Sequence, residues 1–215
     1  MSTASSPPGD PGSPVPPATP PTPGLPGVPG LPPDAPHVAV RVAVTTGTRT
    51  VRSDLVLLGS RGALRTPVAA AAGGPTERPG APGPRTTTFP TAALWPTVRG
   101  LLPDLPHVVA DPAISRPEDR TEPPADLAAT ALHVVTTSVG AHAPAAPGAT
   151  PPPDSLAVRT WLVTATGLYG VTEGPLGTTI VTGERAGALA ATLQWDVAGA
   201  LDHLVRLLEQ RPGAA

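Results

Sequence analysis

Proline occupies every third position from Pro8 to Pro32, nine in succession. Polyproline II has three residues per turn and no internal hydrogen bonds, so nine prolines in this phase line one face of a left-handed extended helix. Such a segment cannot enter the interior of an α-helix or a central strand, because it lacks the N–H donors both require. At about 3.1 Å per residue it spans roughly 80 Å. Gly24-Leu25-Pro26, Gly27-Val28-Pro29 and Gly30-Leu31-Pro32 look like collagen triplets, but the glycine phase is broken at Val15, Ala18 and Pro21. A triple helix needs glycine at every third site, so collagen is excluded. Residues 1–36 therefore read as a disordered, polyproline-type tail. It is either a ligand for a proline-binding groove or a semi-rigid solvated spacer.

The rest of the chain must supply the core, and its composition removes many chemistries. The 215 residues contain no Cys, no Lys and no Asn. That excludes a disulfide scaffold, a thiol nucleophile, a phosphate-binding P-loop lysine and an N-glycosylation acceptor. All 14 basic residues are Arg, set against 16 acidic ones without a basic run, so nucleic acid is not an expected partner. The first residues, MSTASSPPGDPG, have neither a basic start nor an apolar stretch, so they are not a secretory signal. No window approaches the roughly 18 consecutive apolar residues of a spanning helix. The expectation is a cytoplasmic protein without membrane insertion.

Residues 37–211 read as a single α+β domain. Val38, Val40, Val42 and Val44 alternate with smaller or polar residues, the period of a strand. Thr46-Gly47-Thr48 is a turn signal, and Thr50–Leu58 returns as a second strand, making 37–58 a hairpin. Thr86–Phe89 reads as a short strand. Leu94, Trp95, Val98, Leu101 and Leu102 mark one helix face, with Pro96 in its first turn and Pro103 as its stop. Strands are expected within 126–140, at Leu156–Ala165, Leu168–Glu173 and Thr178–Thr182. Ala186–Leu193 is rich in Ala, as a helix would be, but the Gly187 interruption and the regular turn spacing favour a strand, and both readings stay open. Asp196 then reads as the N-cap of a terminal helix whose apolar face is Val197, Leu201, Leu204, Val205 and Leu208. Pro-, Ala- and Gly-rich stretches near 70–85, 112–125 and 141–155 read as disordered insertions. The predicted architecture is an antiparallel β-meander packed by a C-terminal helix, with a smaller N-terminal hairpin-plus-helix unit. Strands followed by a helix occur in both halves, the order of a degenerate duplication.

Candidate chemistry is sparse. None of His37, His107, His133, His142 and His203 has the i,i+4 spacing of a helical zinc site. The nearest cluster is Asp104, His107 and Asp111, which admits a small-ligand or metal-dependent enzyme. Gly59-Ser60-Arg61-Gly62 is a turn rather than a nucleophile elbow. The remaining polar candidates lie in loops, and the regular elements are nearly all Val, Leu, Ala and Thr, so no catalytic residue, metal ligand or cofactor is assigned. Trp161, Tyr169 and Trp195 cluster in the last 55 residues of a chain with 2% aromatics. They are either core or the anchors of a protein interface, where Trp and Tyr are enriched.

Two segments carry a resemblance. TTFPTAALWPTVRGLLPDLP (87–106) is similar to the alanine-rich helix and following LLP of ESX (type VII) secretion-associated, EspG-like proteins, and RTWLVTATGLYGV (159–171) looks like their C-terminal half. The resemblance covers about a third of the chain. It implies a pseudo-duplicated α+β cytosolic chaperone that holds a secretion substrate, and it brings no catalytic residues. The family is usually longer and begins with helices and strands where this chain has its proline tail. The expected function is thus a non-enzymatic protein-binding module with a protein partner. The alternatives are an enzyme built on Asp104–His107–Asp111 and a tethering protein acting through the tail.

Overall fold

A computed structural model describes residues 35–66, 85–111, 122–143 and 156–210. Alternation drives the first two strands. In β1 (His37–Thr46) the side chains of Val38, Val40 and Val42 are fully buried on one face. In β2 (Arg49–Leu58) Leu55 and Leu57 are buried on that same face, opposite Val40 and Val38. A two-residue turn joins them, and Gly47 takes the positive φ that such a turn demands (56°).

β3 (Arg61–Thr66) and β4 (Arg85–Pro90) extend the meander on one side. β5 (His133–His142) pairs antiparallel with β1, and β6 (Ala157–Val163), β7 (Leu168–Glu173) and β8 (Thr179–Glu184) extend it on the other. The result is one eight-stranded antiparallel sheet of order β4-β3-β2-β1-β5-β6-β7-β8. That order reads alike from either edge. Each half is a four-stranded meander beginning at the centre, ending at an edge and followed by a helix. The duplicated order suggested by the sequence is thus present in the topology, and the two units share one sheet.

Three sheet aromatics each oppose a glycine on the neighbouring strand: Phe89 faces Gly62, Trp161 faces Gly170 and Tyr169 faces Gly183. A glycine leaves the space over its backbone empty, so a ring can lie flat on the sheet. The Phe89 ring fills the place a Gly62 Cβ would need.

The helices cover the face that carries Val38, Val40 and Val42. They are α1 (Leu94–Arg99), α2 (Pro106–Val109) and α4 (Ala188–Glu209); a further single turn, α3 (Leu127–Thr130), precedes β5. α4 packs on β5 and β1 through Leu189, Leu193, Val197, Ala200 and Leu204, at spacings of three and four. Leu94, Trp95 and Val98 of α1 and Val108 and Val109 of α2 join the same core. Pro96 sits in the first turn of α1, as the sequence requires.

Several readings are corrected. Ala188–Leu193 is helix, not strand, because Ala and Leu at this spacing bury one helical stripe, and Gly187 does not interrupt it but caps it in the left-handed conformation (φ 81°). Asp196 is therefore not an N-cap but lies within α4. β8 runs on through Gly183-Glu184, past the expected strand end at Thr182. Arg61-Gly62, read as the end of a turn, instead open β3, which continues through the unassigned ALRT and is the partner that lets β4 join the sheet. Leu201 and Val205 project from α4 away from its buried stripe. Arg85 and Ala141–His142, placed within insertions, belong to β4 and β5. The tail (1–34) and most of the three insertions lie outside the described residues.

Candidate functional site

α4 is apolar on two sides. Its buried stripe is described above; a second set, Trp195, Ala198, Leu201 and Val205, recurs every three or four residues within an arc of roughly 120°. These side chains are uncovered: Trp195 is 78% exposed, Val205 52% and Leu201 37%. Trp161 and Tyr169, by contrast, are 4% and 2% exposed. Trp161 joins the helix-side core, while Tyr169 lies on the opposite face of the sheet, beside Leu162 and Gly183. The three aromatics grouped by the sequence are thus not brought together, and Trp195 alone of them is available to a partner.

The exposed strip has a fixed footing. Asp196, next to Trp195, accepts two parallel hydrogen bonds from Arg159 of β6, Nε to Oδ2 at 3.1 Å and Nη2 to Oδ1 at 3.0 Å. The fork geometry of guanidinium and carboxylate fixes direction as well as distance. The Asp196 hydrogen bond holds the Arg159 guanidinium above its ordinary value. Asp202 and Arg206 border the strip with an exposed i,i+4 ion pair at 2.7 Å. No spacing signal in the sequence links Arg159 to Asp196, since the pairing depends on how α4 crosses the sheet.

The Asp104–His107–Asp111 segment does not converge. Asp104 is exposed, and the Asp111 carboxylate accepts the indole N–H of Trp95 at 3.0 Å, tying the end of α2 to α1. His107 is half-buried, and its Nε2 is covered without a hydrogen-bond partner among the described residues. Burial lowers its imidazole from the ordinary value, with the Thr164 backbone opposing in part. Among the described residues no group of three or more His, Asp or Glu is placed to hold a metal ion.

Two other histidines meet at the centre of the sheet. His37 and His142 are cross-strand partners at the first pair of β1 and β5, with ring centroids 4.8 Å apart and planes inclined by 33°. At the other end of the same strand pair, His133 Nδ1 and Thr46 Oγ1 share a hydrogen bond of 2.7 Å. Among the described residues no helix is long and apolar enough to cross a membrane.

Comparison with protein-family models, with curated proteins and with solved structures returned no match.

Proposed function

We propose that this chain is a non-enzymatic protein-binding module that docks a protein partner on the outward face of α4 and the adjoining β6–β8 sheet. One observation carries the reading: Trp195 stands 78% exposed on a helix whose other apolar face is already spent on the core. Interface hot spots are rich in tryptophan, and exposed apolar side chains on one helix face mark binding surfaces. Leu201 and Val205 extend the strip, and the Arg159–Asp196 pair holds it rigid against the sheet, which lowers the entropy lost on docking. In the narrower form suggested by the EspG-like resemblance, the partner is a secretion substrate kept soluble in the cytoplasm.

The test is affinity capture of the tagged full chain from its native host, followed by reconstitution with the purified partner. A one-to-one complex weakened by Trp195→Ala and Val205→Ala, each with an unchanged circular-dichroism spectrum, is the expected result. A complex indifferent to both substitutions places the docking surface elsewhere. Failure to recover any stoichiometric partner overturns the binding-module reading.

A further inference from the structure

We propose that His37 and His142 form a two-histidine site for a divalent transition-metal ion, closing the end of the central β1–β5 pair. The site is built from three features. First, the two residues are direct cross-strand partners, so their Cβ positions are set by the sheet rather than by a loop. Second, the ring separation suits a shared ion. With zinc–nitrogen distances of roughly 2.0–2.1 Å and nitrogen–metal–nitrogen angles between about 90° and 110°, two imidazoles on one ion hold their centroids roughly 4.5–5.1 Å apart. The observed separation is 4.8 Å, and the 33° inclination departs from a flat stack.

Third, one ring already has the tautomer of a ligand. His37 Nδ1 lies 2.8 Å from the Ala35 carbonyl oxygen. A carbonyl can only accept, so Nδ1 carries the proton and the neutral ring keeps its lone pair on Nε2. A backbone carbonyl holding the non-ligating nitrogen is the usual outer-shell partner of a metal-binding histidine. Imidazole donors select zinc, copper and nickel over magnesium and calcium, which prefer oxygen. Among the described residues no third His, Asp or Glu joins the pair, so these two imidazoles are the ligands the described residues supply. Because β1 begins at His37 and β5 ends at His142, the ion fastens the point where both central strands leave the sheet.

Zinc chloride titrated into the metal-free full chain, followed by calorimetry and by thermal melting, tests this. Saturable one-to-one binding and a raised Tm are expected, with no response to magnesium. His142→Ala removes an exposed ligand without touching the core and weakens binding at least tenfold. His133→Ala, at the other end of the strand pair, leaves binding unchanged. Absence of saturable binding overturns the proposal, and so does binding that survives His142→Ala or is lost in His133→Ala. Should His37→Gln unfold the chain, the imidazole nitrogen resonances of His37 in the unsubstituted protein give the second reading. A zinc-induced shift of Nε2 supports the site, and an unmoved Nε2 at zinc saturation overturns it.

Discussion

Arg159 and Asp196 join strand β6 to helix α4 through a two-pronged ion pair in which the carboxylate is nearly covered while the guanidinium is half exposed. The asymmetry matters. Arg159 can be resolvated if its partner is lost, whereas Asp196 would be left covered without a donor.

Arg159→Met is therefore expected to destabilise the fold by about 1–2 kcal/mol, and Asp196→Ala by less, at the low end expected for a pair reached by solvent. Arg159→Lys restores little, since an ammonium cannot reproduce the planar fork. Urea unfolding of the two single variants and the double variant measures the coupling, and a coupling near zero contradicts the clamp.

The two apolar sides of α4 predict opposite outcomes for substitutions two residues apart. Leu193, fully buried beneath the helix, is expected to cost roughly 2–5 kcal/mol as Leu193→Ala. Trp195→Ala is expected to change stability by less than about 0.5 kcal/mol. Thermal melts of both distinguish this orientation of α4 from one rotated to bury the tryptophan.

Thr137 lies in the core between Val42 and Arg159, and its hydroxyl finds no partner among the described residues. Replacing it with the similarly shaped valine removes a desolvated polar group and adds an apolar contact. Thr137→Val should raise stability by about 1 kcal/mol. A loss of stability on chemical denaturation would mean that the hydroxyl is satisfied after all.

Phe89 lies with its ring directly over Gly62, its cross-strand partner. Any Cβ at position 62 collides with the Phe89 ring, so Gly62→Ala is expected to cost about 1–3 kcal/mol. Phe89→Leu alone also destabilises, but the pair should be less than additive, because the smaller side chain makes room for the methyl. Strict additivity in a double-mutant cycle rules out the packing described here.

His107 carries a pH prediction. Burial holds its imidazole below 6.5, so the folded protein binds that proton less readily than the unfolded chain does. Its contribution is fully present above about pH 6.5 and is lost as pH falls through the lower folded value. His107→Gln should flatten the dependence of unfolding free energy between pH 7 and pH 5. An unchanged slope in the variant denies His107 that role.

Legibility differed element by element. The β1–β2 hairpin could be read because Val38, Val40 and Val42 alternate and Gly47 marks the turn. The start of α1 could be read because Pro96 fits only a first turn, but its end could not, since the helix stops at Arg99, before the expected Leu101, Leu102 and Pro103. β3 could not, since RGALRT shows neither clear alternation nor β-branched enrichment, and it becomes a strand by lying between β2 and β4. The start of α4 was misread because a single glycine looks like an interruption along a sequence, while in space Gly187 is where the helix begins.

The sequence by itself determined the local choices: alternating valines make strands, a proline sits in the first turn of a helix, glycines turn the chain, and missing Cys, Lys and Asn remove whole classes of chemistry. Those choices depend on residues a few positions apart, where sterics and backbone hydrogen bonding act directly. Only the tertiary structure decided that two four-stranded meanders share one sheet through β1 and β5, and that His37 meets His142 there. It likewise decided that Trp161 and Tyr169 are packed away while Trp195 stands free. Those outcomes rest on how a 22-residue helix and a sheet divide the available apolar surface between them, a division that no local pattern encodes.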